Sequence, residues 1–253
     1  MISAWLDAFL IVASPFLGSF ITASSRAWPD WNQIVSGRSK CDECGHTLTP
    51  LELVPIISFA MQRGKCRECG APVPWIHPLG EILALLIGII AVLAFEGWAS
   101  LAIAAFGWML LFGALVDLRT FLLPDIVTLG LVPAGLAMAW LSGGQESLLA
   151  HTLAAIAGFA SLALIGWLYR WLRKRVGLGL GDAKLLAAGG AWAGPLALPW
   201  IVLIGAGATL FIVAIAHILG RKAHATMAVP LGPGLAAGCY LAYCLPPLIQ
   251  LAN

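Results

Sequence analysis

The chain has 253 residues, 60% of them hydrophobic and only 10% charged, with 14 Lys and Arg against 12 Asp and Glu. A water-solvated domain carries roughly a quarter charged residues, so a soluble globule is excluded and an all-α polytopic membrane protein is indicated. A net charge of +2 argues against nucleic acid as a partner, and six cysteines fall short of a disulfide scaffold.

In chain order, about eight apolar segments are predicted as transmembrane helices, most of them near the roughly 20 residues that a helix needs to cross a bilayer. They run approximately over 3–24, 79–95, 98–116, 125–141, 148–169, 183–192, 198–219 and 231–251. The sixth is short and glycine-rich, but Pro195 and Pro199 argue against joining it to the seventh. Arg26, Arg38, Lys40, Arg63, Lys65 and Arg67 fall between the first two segments, and Arg119 between the third and fourth. Arg170, Arg173, Lys174, Arg175 and Lys184 flank the fifth connection, and Arg221 and Lys222 lie before the last segment. All 14 basic residues therefore occupy alternate connections, which assigns those connections to the cytoplasm and both termini to the outside. The first segment lacks a basic leader region and carries Asp7, so it reads as a retained helix rather than a signal peptide. The expected organisation is a first transmembrane helix (1–24), a small cytoplasmic loop domain (25–78) and a seven-helix membrane domain (79–253), with no internal repeat.

The loop is too small to build a deep core and is expected to need a staple. Cys41 and Cys44 form one Cys-x-x-Cys and Cys66 and Cys69 another, about 20 residues apart, which is the spacing of a tetrahedral four-thiolate zinc site. Gly45 and Gly70 directly follow the two pairs, where tight turns need positive φ. Two disulfides, redox dithiols and an iron–sulfur centre are the competing readings, and a reducing cytoplasm disfavours the first. Four thiolates complete the coordination shell, so the metal is structural and His46 is expected at the surface.

Acidic residues break the apolar pattern at two further places. Asp117 ends the third segment and Asp125 starts the fourth in VDLRTFLLPD, while Asp182 enters the sixth in GLGLGD. A carboxylate at a membrane helix end is costly unless it meets water, a partner or a cavity, so each is a candidate functional residue. Two carboxylates held together share a proton, and then one activates water while the other polarises a carbonyl. Gly177, Gly179 and Gly181 supply a close-approach backbone before Asp182. In the bland alternative Asp182 caps its helix and Asp117 pairs with Arg119 or Lys184. A cation-coupled transporter would also use intramembrane aspartates, although these lie at one surface and not at the midplane. Glu81 is expected to support the loop or meet a charged segment of a bound partner, with a snorkelled structural role as the alternative, and His77 is expected at the surface. Cys239 and Cys244 read as small hydrophobes, and His151, His217 and His224 join no constellation.

Together these stretches resemble the bacterial type IV prepilin peptidase family, the polytopic aspartic proteases with a Gly-x-Gly-Asp motif. The resemblance rests on GSF (18–20), RSKCDEC, LVPIISF, RGKCRECG, PLGE, VDLRTFLLPD, GLGLGD and PLGPGLAAG (230–238), and covers nearly the whole chain. It implies an inner-membrane endopeptidase that removes the basic leader of prepilins or pseudopilins after a glycine, at the cytoplasmic face. It also implies methylation of the new amino terminus with S-adenosylmethionine. By motif match, Asp117 and Asp182 are the catalytic pair and Asp125 a supporting residue. Gly64 and Lys65 match a pair associated with methyl transfer, and the four loop cysteines match a zinc site. The family commonly has Asn two residues after GSF where this chain has Thr22, a departure that bears on methyl transfer, so a peptidase without that second activity is the alternative. The identity of the pilin substrate and the oligomeric state stay open at this level.

Overall fold

The computed structural model describes residues 2–30, 37–175, 177–218 and 229–252. The described residues are helical, apart from loops and two isolated β-bridges. Two compact units divide the chain, residues 1–112 and 113–253.

In the first unit, α1 (Ile2–Ala27) leads into the cysteine loop, which contains a 3-10 turn (Pro50–Leu53) and the short α2 (Ile57–Met61). The chain then forms α3 (Ile76–Ala94) and enters α4 (Trp98–Thr120), which runs across the unit boundary. Helices α1 and α3 pack closely because small residues recur every fourth position on each. Ser14, Gly18 and Thr22 face Gly80, Ala84 and Gly88, and a Cβ added to Gly18 would fall 2.7 Å from Ala84 Cβ. In lipid there is no hydrophobic force between helices, so such backbone approach supplies the attraction. The Thr22 and Ser14 hydroxyls are satisfied by the carbonyls of Gly18 and Leu10 one turn earlier, which makes them neutral in a buried seam.

The second unit is organised by α5 (Asp125–Arg173), 49 residues that would extend about 74 Å at 1.5 Å per residue, well beyond one bilayer. The helix breaks at Gly143 (φ −145°, ψ 17°) and Gly144 (φ 62°, ψ −147°), leaving arms of 125–142 and 145–173. The left-handed φ of Gly144 is one that side chains rarely adopt, and the break falls where the sequence separates the fourth and fifth segments. Helix α6 (Leu180–Ala193) packs against both arms. Gly135 of the first arm abuts Trp192, Gly158 of the second abuts the Leu186 carbonyl, and Trp192 Nε1–H donates to the Leu131 carbonyl at 2.8 Å. At 14 residues α6 is shorter than the roughly 20 that a lipid-facing span takes, yet residues 183 and 185–192 are all buried. Its alanines and glycines permit that depth of packing, and protein rather than lipid surrounds it. Helices α7 (Leu198–Ile218) and α8 (Gly232–Ala252) pack together, with Gly238 pressed on the Ile201 carbonyl.

Five segments among the described residues are long and apolar enough to cross a membrane: 4–27, 76–94, 98–120, 125–173 and 195–215. The third of them counts the continuous α4, and the fourth counts both arms of α5 as one. Arg221, Lys222 and His224 lie outside the described residues, as does the side chain of His217.

Candidate active site and metal centre

The cysteine loop contains a local repeat, which corrects the expectation that there is none. Lys-Cys-x-Glu-Cys-Gly occurs at 40–45 and again at 65–70, and both copies fold identically. In the first, Cys41 N–H donates to the His46 carbonyl and Gly45 N–H to the Cys41 carbonyl; in the second, Cys66 donates to Ala71 and Gly70 to Cys66. A bridge between Lys40 and Thr47 is matched by one between Lys65 and Pro72. Gly45 (φ 71°) and Gly70 (φ 72°) have open space at the Cβ position, so backbone conformation alone demands glycine there. The motif is only six residues long and its two copies diverge on either side.

The repeat brings Sγ of Cys41, Cys44, Cys66 and Cys69 within 4.8 Å of one another, with 3.9 Å between Cys41 and Cys69. A tetrahedral ion with bonds of about 2.3 Å separates its sulfurs by about 3.8 Å, so the set fits a metal ion. All four are free thiols. Hydrogen bonds from the backbone of Cys44 and Glu43 lower the Cys41 thiol, while desolvation and the neighbouring thiols raise that of Cys44, as expected of coupled sulfurs that do not all ionise together without a cation. His46 is turned inward, its Nε2 3.3 Å from Glu52 Oε2.

The loop is fastened to the two helices that flank it. Arg26, in the last turn of α1, donates to Asp42 Oδ2 at 2.7 Å and lies 2.7 Å from Nε2 of His77 at the start of α3. His77 is thus a half-buried partner of Arg26 and not the surface residue expected. Buried Glu81 accepts the Ile56 N–H at 2.7 Å, so of its expected roles it fills the loop-supporting one. Gly64 (φ 70°) sits against the Phe59 ring, 3.0 Å from where its Cβ would be, while Lys65 is exposed. Gly64→Ala is expected to destabilise the loop by about 1–3 kcal/mol through the positive φ alone, read as faster amide exchange at 59–73.

In the second unit, three helix ends meet. Asp117 lies in the last turn of α4, only 5% exposed, and Oδ2 accepts the Gly232 N–H at the start of α8 at 3.1 Å. Asp182, in the first turn of α6, accepts the Gly179 N–H through Oδ2 at 3.3 Å. Leu123, in the loop after α4, fills the space beside Gly181 and Gly232; Cβ atoms there would lie 3.0 Å from Leu123 Cβ and 3.3 Å from its Cδ1. The capping half of the bland alternative therefore holds for Asp182, but Asp117 bonds to a backbone amide. Lys184 goes instead to Asp125, Nζ to Oδ1 2.6 Å.

Gly232 carries no role that its residue type announces, and the fold gives it one. Its contribution is an N–H, which every residue but proline carries, plus the lack of a Cβ that would fall 2.5 Å from Asp117 Oδ2. The available signal was a Gly-Pro pair opening the last apolar segment. Gly232→Ala is expected to push Asp117 aside and lower any activity that depends on it by about 10²-fold, measured on the substrate that the resemblance implies. The Asp125–Lys184 pair is 64% and 28% exposed, and such pairs contribute about 0.2–1 kcal/mol. Asp125→Asn is therefore expected to leave activity within about fivefold in the same assay.

These features define a multi-pass helical membrane protein with two carboxylates at helix ends, each held by a backbone N–H, and a four-cysteine metal-binding cluster. Residues 12–95 match the family model of the bacterial peptidase A24 N-terminal domain, and residues 104–215 that of the type IV leader peptidase family. The prepilin leader peptidase/N-methyltransferase of Aeromonas hydrophila is 39% identical over 215 residues, covering 85% of this chain and 73% of its own. That of Burkholderia pseudomallei strain K96243 is 39% identical over 260 residues, covering 91% and 82%. The type 4 prepilin-like proteins leader peptide-processing enzyme of Escherichia coli O78:H11 is 32% identical over 203 residues, covering 79% and 73%. No solved structure matches. The chain belongs to the type IV leader peptidase family, and it is a multi-pass membrane peptidase.

Proposed function

We propose that Asp117 and Asp182 are the catalytic dyad of this peptidase and cut the prepilin after a glycine, at the cytoplasmic membrane face. The observation that carries the reading is the meeting of both carboxylates at three helix ends, each held by a backbone N–H. The ionised carboxylate takes a proton from water as its oxygen attacks the scissile carbonyl, while the protonated partner donates to the carbonyl oxygen. Collapse of the tetrahedral intermediate expels the new amino terminus, which takes its proton from the carboxyl pair. No covalent intermediate is needed. The test is leader removal from a co-expressed prepilin by Asp117 and Asp182 variants.

In this reading the chain crosses the membrane eight times, with the two arms of α5 counted separately and α6 as a short inner helix. The alternation of basic residues then places the cysteine loop and the dyad in the cytoplasm and both termini outside. The ion held by Cys41, Cys44, Cys66 and Cys69 is zinc, since a closed tetrahedral thiolate shell suits it and provides folding energy, not catalysis. Transfer of a methyl group from S-adenosylmethionine to the new amino terminus is the second activity, with Gly64 and Lys65 as its candidate residues. Mass spectrometry of the processed pilin decides it: an unmethylated terminus in the presence of S-adenosylmethionine leaves a peptidase alone.

A further inference from the structure

The segment between the two metal knuckles carries large apolar side chains turned outward. Leu51 is 79% exposed, Ile57 58% and Met61 80%, and Leu53 through Gln62 contain no charged residue. Of the carboxylates nearby, Glu81 is buried, and Glu52 is turned inward, 6% exposed and bonded to the Thr49 N–H and hydroxyl at 2.9 and 2.8 Å. A soluble loop does not expose such a surface without a partner.

The backbone at the root of this segment is strained and held from one side. Ile56 has φ 63° and ψ −50°, and Ile57 N–H donates to the Pro55 carbonyl at 2.6 Å across it, which is the rarer, positive-φ form of the γ-turn. For a β-branched residue this conformation is a true outlier, kept only where surroundings impose it. The constraint is Glu81, whose Oε2 takes the Ile56 N–H.

Glu81 also sets the depth of the segment. It lies five residues, about 7.5 Å along the axis, into α3, a helix long and apolar enough to cross a membrane, and only two residues into its apolar segment from 79. Side chains that insert in the headgroup and acyl boundary reach about 5–10 Å. At the same level, Leu79 and Ile82 of α3 are 45% and 42% exposed, as lipid-facing residues are. Trp75, one residue before α3, lies 5.2 Å from the Phe59 ring, so α2 is attached at an aromatic residue of the type that anchors at the interface.

We propose that residues 51–61 form a finger inserted in the bilayer interface, with Leu51, Ile57 and Met61 in contact with lipid, and that Glu81 is the positioning residue holding it there through Ile56. The inference is independent of the catalytic dyad and of methyl transfer, since it uses only loop geometry and the span of α3.

The test uses the full chain, metal loaded, in phosphatidylethanolamine–phosphatidylglycerol vesicles, with an environment-sensitive fluorescent amino acid at position 61 or, as control, at position 67 on the second knuckle. Lipid brominated on its acyl chains is expected to quench the reporter at 61 by about twofold or more, and the reporter at 67 hardly at all; aqueous iodide is expected to do the reverse. Equal iodide quenching at both positions overturns the proposal. So does a reporter at 61 that is indifferent to brominated lipid but shifts when a prepilin is added, which would make the finger a substrate surface. Glu81→Ala with metal content unchanged is expected to abolish lipid quenching at 61. Glu81→Gln, which keeps an acceptor for the Ile56 N–H, is expected to restore it; undiminished quenching in Glu81→Ala overturns the positioning role.

Discussion

Asp117→Asn and Asp182→Asn are each expected to lower prepilin cleavage by about 10²–10⁴-fold while the protein stays folded in the membrane. Asparagine keeps an oxygen of the same size, so the Gly232 N–H and the Gly179 N–H each retain an acceptor. The side chain loses the ability to gain and release a proton. Hydrolysis by the pair requires one ionised and one protonated carboxyl at the same time, so either substitution alone removes the function. The two losses are expected to be non-additive, with the double variant no slower than the worse single one. A gel-shift assay for leader loss reads the result, and full cleavage by both single variants sinks the assignment. The contrast with Asp125 is informative: its partner Lys184 and its own exposure make it a surface ion pair, and nearly all of the expected effect resides in the other two aspartates.

Removing the metal is the second large effect. Structural zinc in small domains supplies about 10–16 kcal/mol of apparent binding energy, more than a loop of this size has from any other source. Purified protein is expected to hold about one zinc ion per chain, and Cys41→Ser with Cys44→Ser none. The fold between the knuckles is then expected to loosen, because the shared ion would tie the two six-residue copies directly to each other. Limited trypsin digestion checks this at Arg63, Lys65 and Arg67, all exposed but set in a tight hydrogen-bonded frame. The metal-loaded chain is expected to resist cleavage there and the double variant to be cut at once. Equal digestion of both would show that the loop folds without its ion.

The two centres differ in how far the amino-acid sequence alone reveals them. The metal site is legible there because its information is local: each Cys-x-x-Cys turns back within a few residues, and ligand spacing is a property of the chain itself. The aspartates are legible singly, since a carboxylate in an apolar run is expensive wherever it falls. Their partners are not. Gly232 lies 115 residues after Asp117 and acts through its backbone, and Leu123 fills the site as an ordinary apolar residue. Arg26, Asp42 and His77 likewise look like unrelated polar residues until the loop folds back on α1 and α3.

Composition and periodicity by themselves determined that this is a helical membrane protein, where its apolar segments lie, and that a four-thiolate loop interrupts them. They could do so because the bilayer imposes length and polarity on each segment one at a time. Only the tertiary structure decided that Gly143 and Gly144 break one long helix into two arms, that the short α6 is buried between residues of both, and that Leu123 lies beside both Gly181, next to Asp182, and Gly232, which bonds Asp117. Those outcomes depend on close backbone approach at glycine and alanine, and such contacts are made between segments far apart in the chain. Glu81 is the same case in the first unit: its charge marks it in the sequence, but the strained turn it holds exists only in the folded loop.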